Sequence, residues 1–569
     1  MKKLISVLLV VVMSSFVTTS FAATDEDWRP TPPPSQEASW GIVAQGVTAT
    51  YTYFASPSLM SFKAADYQFG ISKVLDVHKC ALFGGSDCPS DQFQKYHSPM
   101  GYCNQEVKTD CVSDVLAYDK AGTQLPVNYV GPFGGDPSWS FIGDPLLNLP
   151  TSGQSFLVDI PGAPHIGGTK YLISSVLDGF KYPTDTQFKT NGFQATIWPV
   201  NIVDGAFLPA SESLVPNAYS ALGINAGSGG ACSGVQSEVG RCAVSVAAPL
   251  DVSIGLRMKF ATKIDPWLHG RISNVQAQVV NDEANNQIVT IVGNPVRVPT
   301  IFGWVTKSSA PQQLTDFYKS MDPFLLNMGN GYGNCLDPSL SQGACNPKFW
   351  ESILRGPFND SNGFSELSIW LPIVKNTAAA APTSWTIRSM SGDFSGCPNP
   401  NHLIGFVNTN STLYMPGPPT FNQATQTLDY QVLSTHNLPD GSAFQGTYDL
   451  LIDSALARCI YHFSSAPIKA TVSVISSDGI QQSVTTAVTE RDGFIHMGAY
   501  GFTFSSPTIS VKLSQDEPAT TPITPEIPAL PAVSPKAKKI TITCIKGKLV
   551  RKMTGSNPKC PSGFKKKTI

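Results

Sequence analysis

Ile468-Lys-Ala-Thr-Val-Ser-Val-Ile475 leads through the polar turn Ser476-Ser-Asp-Gly479 into Gln481 to Glu490. Arg491-Asp-Gly493 turns the chain again, into Phe494 to Phe504 and Thr508-Ile-Ser-Val-Lys-Leu513. In the first run Ile468, Ala470, Val472 and Val474 recur with a period of two. In the last, Ile509, Val511 and Leu513 fall on one side and Thr508, Ser510 and Lys512 on the other. That period is the signature of half-buried strands, and the turns make them a meander. The stretch predicts a β-sandwich over 396–515, with Cys397 and Cys459 placed like an inter-sheet disulfide. No Trp lies between these cysteines, and Tyr461 follows the second instead of preceding it, so the likeness to immunoglobulin domains is one of architecture only.

The same reading extends outward. Only 14% of residues are charged, and 47 Gly and 45 Pro punctuate the chain. This composition predicts an all-β protein of tandem disulfide-stapled β-sandwich (Ig-like in architecture) domains plus a small C-terminal cationic hairpin. Boundaries are expected at 40–225, 226–395 and 396–515. Ordered strand begins near Trp40, Gly46 to Phe54 alternates as a half-buried strand, and Phe156 onward and Gln194 to Val203 read as further strands. Ala226-Gly-Ser-Gly-Gly230 separates the first two regions. Leu250 to Met258 and Ser365 to Ile373 follow a cysteine pair each, and each precedes a Trp and an Arg (Trp267 and Arg271; Trp385 and Arg388). That pattern suggests a diverged duplication of one β domain.

The first residues read as an export signal: Lys2 and Lys3, the apolar run Leu4 to Met13, and Ser20-Phe21-Ala22 as a cleavage site, giving a signal peptide at 1–22. A Pro-rich leader covers 23–39. No later run is long and apolar enough to span a bilayer, so no transmembrane segment is expected in the mature chain. Twelve cysteines behind a secretion signal favour disulfides. Spacing suggests Cys80/Cys88, Cys103/Cys111, Cys232/Cys242, Cys335/Cys345, Cys397/Cys459 and Cys544/Cys560; Cys80–Cys111 with Cys88–Cys103 is an open alternative. No C-x-x-C exists and no His stands at ligand spacing from a Cys pair, so neither metal nor cofactor is expected.

Asp516 to Pro535 carries a proline every three or four residues, a semi-rigid spacer over 516–535. Beyond it, 536–569 holds eleven of the chain's 39 Lys and Arg and none of its 41 Asp and Glu. Lys539 to Cys544 reads as a strand, Lys546-Gly547-Lys548 as a turn, and Leu549-Val550 as the start of a second strand. Cys544 and Cys560 staple the hairpin. Ile542-Thr-Cys-Ile-Lys-Gly-Lys548 with Pro558-Lys-Cys-Pro-Ser-Gly-Phe-Lys-Lys-Lys567 resembles a C-terminal module recurring on secreted, mostly uncharacterised actinobacterial proteins. The β region ending Gly501 to Ile509 resembles domains found beside that module. The resemblance implies an extracellular compartment and no particular activity.

Lys546, Lys548, Arg551, Lys552, Lys559, Lys565, Lys566 and Lys567 are the candidate polyanion- or envelope-binding residues, the partner being an anionic cell-envelope polymer. With Phe564 the one aromatic among them, base stacking is unsupported and no sequence-specific nucleic acid is expected. No G-x-S-x-G, H-E-x-x-H, P-loop or EF-hand pattern occurs. Asn359 to Gly363 reads as a polar turn. Glu351, Asp360 and Glu366 are the carboxylates to inspect for glycoside hydrolysis, and Trp267, Trp304, Trp350, Trp370 and Trp385 for a sugar-stacking face. His462 and His496 are candidates to face each other across the last sandwich. The leading expectation is a secreted or cell-surface, non-catalytic protein that binds a glycan or protein. A polysaccharide-directed extracellular hydrolase and a structural surface-layer protein are the alternatives.

Overall fold

The computed structural model of the protein describes residues 25–28, 37, 39–45, 56–62, 78–207, 211–214, 224–227, 236–320, 350–355, 361–390, 397, 403–463, 468–475, 481–482, 485–504, 508–515, 540–555 and 557–567. The signal at 1–22, most of the leader, the strand expected at 46–54, the linker at 516–535 and Cys232, Cys335 and Cys345 lie outside these residues. The chain divides into two compact units, Met1–Asp516 and Glu517–Ile569. Three α-helices are described against 33 strands. The protein is a disulfide-containing all-β protein.

In the body the longest ladder pairs Lys170–Lys181 with Lys189–Asp204. Every residue from Tyr171 to Leu177 is buried, although alternate strand side chains point to opposite faces. The faces enter different cores: Tyr171, Ile173 and Leu177 join the largest one, while Leu172 packs with Phe133, Leu157, Val200 and Ala243. A strand covered on both sides reads as a continuous apolar run for this reason.

Pairings cross the positions 225/226 and 395/396. Ser253–Phe260 lies between Cys111–Tyr118 and Gln287–Arg297. Lys189–Asp204 pairs with Arg241–Ser245 and with Thr386–Met390. The long strand Trp267–Asn281 changes partner partway. Its second half follows Gln287–Arg297, and its first half lies against Thr386–Met390 and, in parallel, Gly405–Thr409. The register shifts between Ser273 and Gln276, where Asn274 takes a left-handed φ of 52°. That bulge re-aims the strand.

The described strands between 403 and 515 form two facing sheets. One runs Gly405–Thr409, Gly446–Asp453, Phe494–Phe502, Thr485–Arg491. The other runs Leu413–Tyr414, Thr427–Leu433, Thr508–Gln515, Ile468–Ile475, Gln481–Gln482. Val472, Val474, Ile509, Val511 and Leu513 from the second meet Leu450, Ile452, Ile495 and Met497 from the first in one core. The expected meander is corrected. Ile468–Ile475 pairs with Thr508–Gln515, and the run 481–490 is not one strand: Gln481–Gln482 stays in one sheet and Thr485–Arg491 joins the other. A segment that changes sheet keeps its period of two and hides the break from sequence.

A third sheet sets Ser39–Gln45 between Thr300–Thr306, antiparallel, and Trp350–Arg355, parallel. The helices Gln312–Ser320 and Ser361–Ile373 pack on it through Leu314, Tyr318, Phe364, Leu367, Trp370 and Leu371. Ser365 to Ile373 is therefore helix, while its supposed repeat mate lies in the strand Ser253–Phe260. The spacing of Phe364, Leu367, Trp370 and Leu371 fits one helical face. Pro372 stands in the last turn, where it has no N–H to donate to the Ser368 carbonyl. The two Trp–Arg pairs are not equivalent positions of a duplication either: Trp267 and Arg271 lie on a strand paired to the one that carries Arg388, with Trp267 opposite Met390 and His269 opposite Arg388, and Trp385 just precedes that second strand.

Four disulfides are described: Cys80–Cys88, Cys103–Cys111, Cys397–Cys459 and Cys544–Cys560. The crossed alternative for the first four cysteines is excluded. Cys242 is also disulfide-bonded. The inter-sheet expectation for Cys397–Cys459 is corrected, because Cys459 lies on the helix Ser454–Tyr461. Asp453 caps that helix, accepting the Leu456 N–H at 2.9 Å.

Candidate polyanion-binding surface

Ile540–Lys546 pairs with Leu549–Gly555, and Lys565–Lys566 adds a third strand to the free edge of the first. Gly547 takes a φ of 60° in the connecting turn, where a side chain would be strained. Among the described residues of this unit only Ile542 and Cys544 are buried. So small a core does not hold a sheet by itself. The Cys544–Cys560 bridge closes a step of 16 residues, worth about 3 kcal/mol for a loop of that size.

The register arranges the charges. Counting from the turn, Lys546 faces Leu549; Ile545 lies between Val550 and Lys565; Cys544 lies between Arg551 and Lys566. Thr543 faces Lys552, and its carbonyl accepts the Lys567 backbone N–H at 2.7 Å. With Lys548 in the turn, seven cations occupy these four rows, a span of about 10 Å. Among the described residues, the rows at the opposite end, where Ile540 to Ile542 face Met553 to Gly555, carry no charge. Directly opposed residues share a face, so Lys546, Arg551 and Lys566 project on one side and Lys552 and Lys565 on the other. Among the described residues the charge is graded from end to end and not from face to face.

All eight candidate cations are exposed, Lys559 in the segment tethered by Cys560. The Arg551 guanidinium lies over the Phe564 ring, 5.6 Å from its centroid. Separations within one Debye length let the potentials of the seven add. Two residues at the same end escaped the sequence reading: Leu549 is 65% and Val550 60% exposed. The apolar pair directly after the Lys-Gly-Lys turn was the available signal.

In the body, Glu366 is fully buried and accepts the Tyr318 hydroxyl at 2.7 Å, while that hydroxyl accepts the Trp370 indole N–H at 2.7 Å. It is a packing partner of the helix pair. Glu351 lies in the strand Trp350–Arg355, its side chain undescribed, and Asp360 is outside the described residues. Ser361, Asn362 and Gly363 open a helix. Trp267, Trp370 and Trp385 are core residues. Trp385 donates to the Ile254 and Gly293 carbonyls. Trp304 lies against Gly41, and the Trp350 side chain is undescribed. No sugar-stacking platform is assembled from the three core tryptophans. His462 caps a helix in left-handed conformation, and His496 bonds Asp449 at 3.0 Å.

Arg271 is a buried charge in the core. Its guanidinium donates to the Thr409 carbonyl at 2.9 Å and the Thr412 carbonyl at 3.1 Å, and lies 4.6 Å from the centroid of Tyr414. Tyr414 stacks on His269 at 3.3 Å between centroids. Burial, then the neighbouring Arg271 and Arg388, hold the His269 imidazole well below its ordinary pKa. Among the described residues no group of three or more His, Cys, Asp and Glu is placed to hold a metal, and no helix is long and apolar enough to cross a membrane. Comparison with protein-family models, curated proteins and solved structures finds no match.

Proposed function

We propose that this is an exported, non-catalytic binding protein, held at the cell envelope by the cationic end of its C-terminal sheet. The anion is a phosphate- or carboxylate-bearing envelope polymer, and the disulfide-stapled body is the displayed part, presenting a surface to a glycan or protein. One observation carries the reading: seven exposed cations, with no acid in 536–569, are gathered by register at one end of a separate small unit. Such a cluster attracts repeated anions through many weak contacts and by releasing their counterions, so binding weakens steeply with salt. The signal-like residues 1–22 and the disulfides support an oxidising, extracellular location.

The test substitutes Lys548→Gln, Arg551→Gln, Lys552→Gln and Lys565→Gln together in the full chain and follows elution from immobilised polyphosphate. The quadruple variant is expected to elute at clearly lower salt, and Lys559→Gln close to the unaltered protein. Equal elution of the quadruple variant and the unaltered protein contradicts the assignment.

A further inference from the structure

The cationic end of the C-terminal sheet is also where its apolar surface lies open. Leu549 and Val550 are exposed by 65% and 60% at the close of the turn. As successive strand residues they project to opposite faces, Leu549 beside Lys546 and Val550 beside the half-buried Ile545. A flat partner laid on either face reaches one of them. An approach along the strands, turn first, reaches both. That direction also brings in Lys546, Lys548, Arg551, Lys552 and Lys565, which ring the tip on both faces. A soluble anionic chain has use for the ring and none for the apolar pair.

We propose that the hairpin tip enters the interface of an anionic lipid bilayer, Leu549 and Val550 seating beneath the headgroups while the surrounding Lys and Arg bind phosphates. The proposal rests on reading this end as polyanion-binding and adds a lipid surface to the anions it takes. Apolar side chains flanked by long cationic ones are the composition of an interfacial anchor: the methylene stems pass the boundary and the charged heads stay among the phosphates. Each cation near an anionic leaflet strengthens partitioning by about fivefold, and the anchor remains peripheral and reversible.

The experiment sediments the full chain with phosphatidylcholine vesicles, with and without phosphatidylglycerol, and measures binding to immobilised polyphosphate in parallel. The unaltered protein is expected on the phosphatidylglycerol vesicles only. Leu549→Ser with Val550→Ser is expected to lower that partitioning on the order of tenfold while polyphosphate binding is unchanged and amide protection in 540–555 shows the sheet intact. Equal partitioning of the double variant overturns tip insertion. Binding of the unaltered protein to polyphosphate without binding to anionic vesicles overturns insertion and leaves the polyanion reading standing. Binding to neither overturns both.

Discussion

Asp110 takes a φ of 52° and accepts the backbone N–H groups of Ala261 at 3.1 Å and Thr262 at 2.9 Å. Burial outweighs those bonds and pushes its carboxyl up to about 6. A folded pKa raised above the unfolded one means the folded state keeps the proton longer. The contribution to stability is therefore present below about pH 4 and is lost as pH rises through 6. Asp110→Asn keeps an acceptor, removes the charge and suits the left-handed φ. We expect it to stabilise the body by roughly 1–3 kcal/mol at pH 7 and by little at pH 4, read as denaturant midpoints; an equal gain at both values refutes the charge argument. His269 works in the opposite sense. Its folded pKa is depressed, so its contribution is present above the ordinary histidine range and falls as pH drops below about 6.5. His269→Gln should flatten the acid side of the stability profile, and an unchanged profile would show that another group sets it. Composition marks neither residue, since what shifts both is burial by strands distant in the chain.

Among elements, the parallel contact of Trp267–Asn281 with Gly405–Thr409 depends on a missing side chain. A Cβ at Gly405 would come 2.0 Å from the Trp267 ring. Gly405→Ala should cost about 1–3 kcal/mol in thermal unfolding, and a smaller residue at Trp267 should recover part of it. If Gly405→Ala melts like the unaltered protein, this seam is looser than described. The C-terminal sheet offers the contrasting case. Cys544→Ser with Cys560→Ser should leave the body's unfolding unchanged and abolish amide protection in 540–555; persisting protection would mean the small apolar core suffices. Strands with a clean period of two were legible: Val472, Val474, Ile509, Val511 and Leu513 are buried as their alternation requires. The helix Ser361–Ile373 was not, because Leu367, Ile369, Leu371 and Ile373 mimic alternation while Phe364, Leu367, Trp370 and Leu371 carry the helical face. Nor was the change of sheet between Gln482 and Thr485 legible, since a crossing leaves no break in composition.

For the molecule as a whole, the class and the short-range pairs Cys80–Cys88, Cys103–Cys111 and Cys544–Cys560 were suggested by composition and spacing, because both are local properties. The pairing of Cys111–Tyr118 with Ser253–Phe260, or of Ser39–Gln45 with Trp350–Arg355, joins residues far apart in the chain and has no local signal. At the candidate site the cations themselves were legible. Their gathering at one end was not: it arises because Lys565–Lys566 returns to pair with Cys544 and Ile545. The chain divides between Asp516 and Glu517, and the charged sheet belongs to the second unit. The most direct test compares retention of the full chain on its own cell envelope with that of a chain ending at Ser534, across a salt gradient. We predict that only the full chain is retained and that salt releases it. Equal retention of the two would contradict the account and place the binding surface in the body.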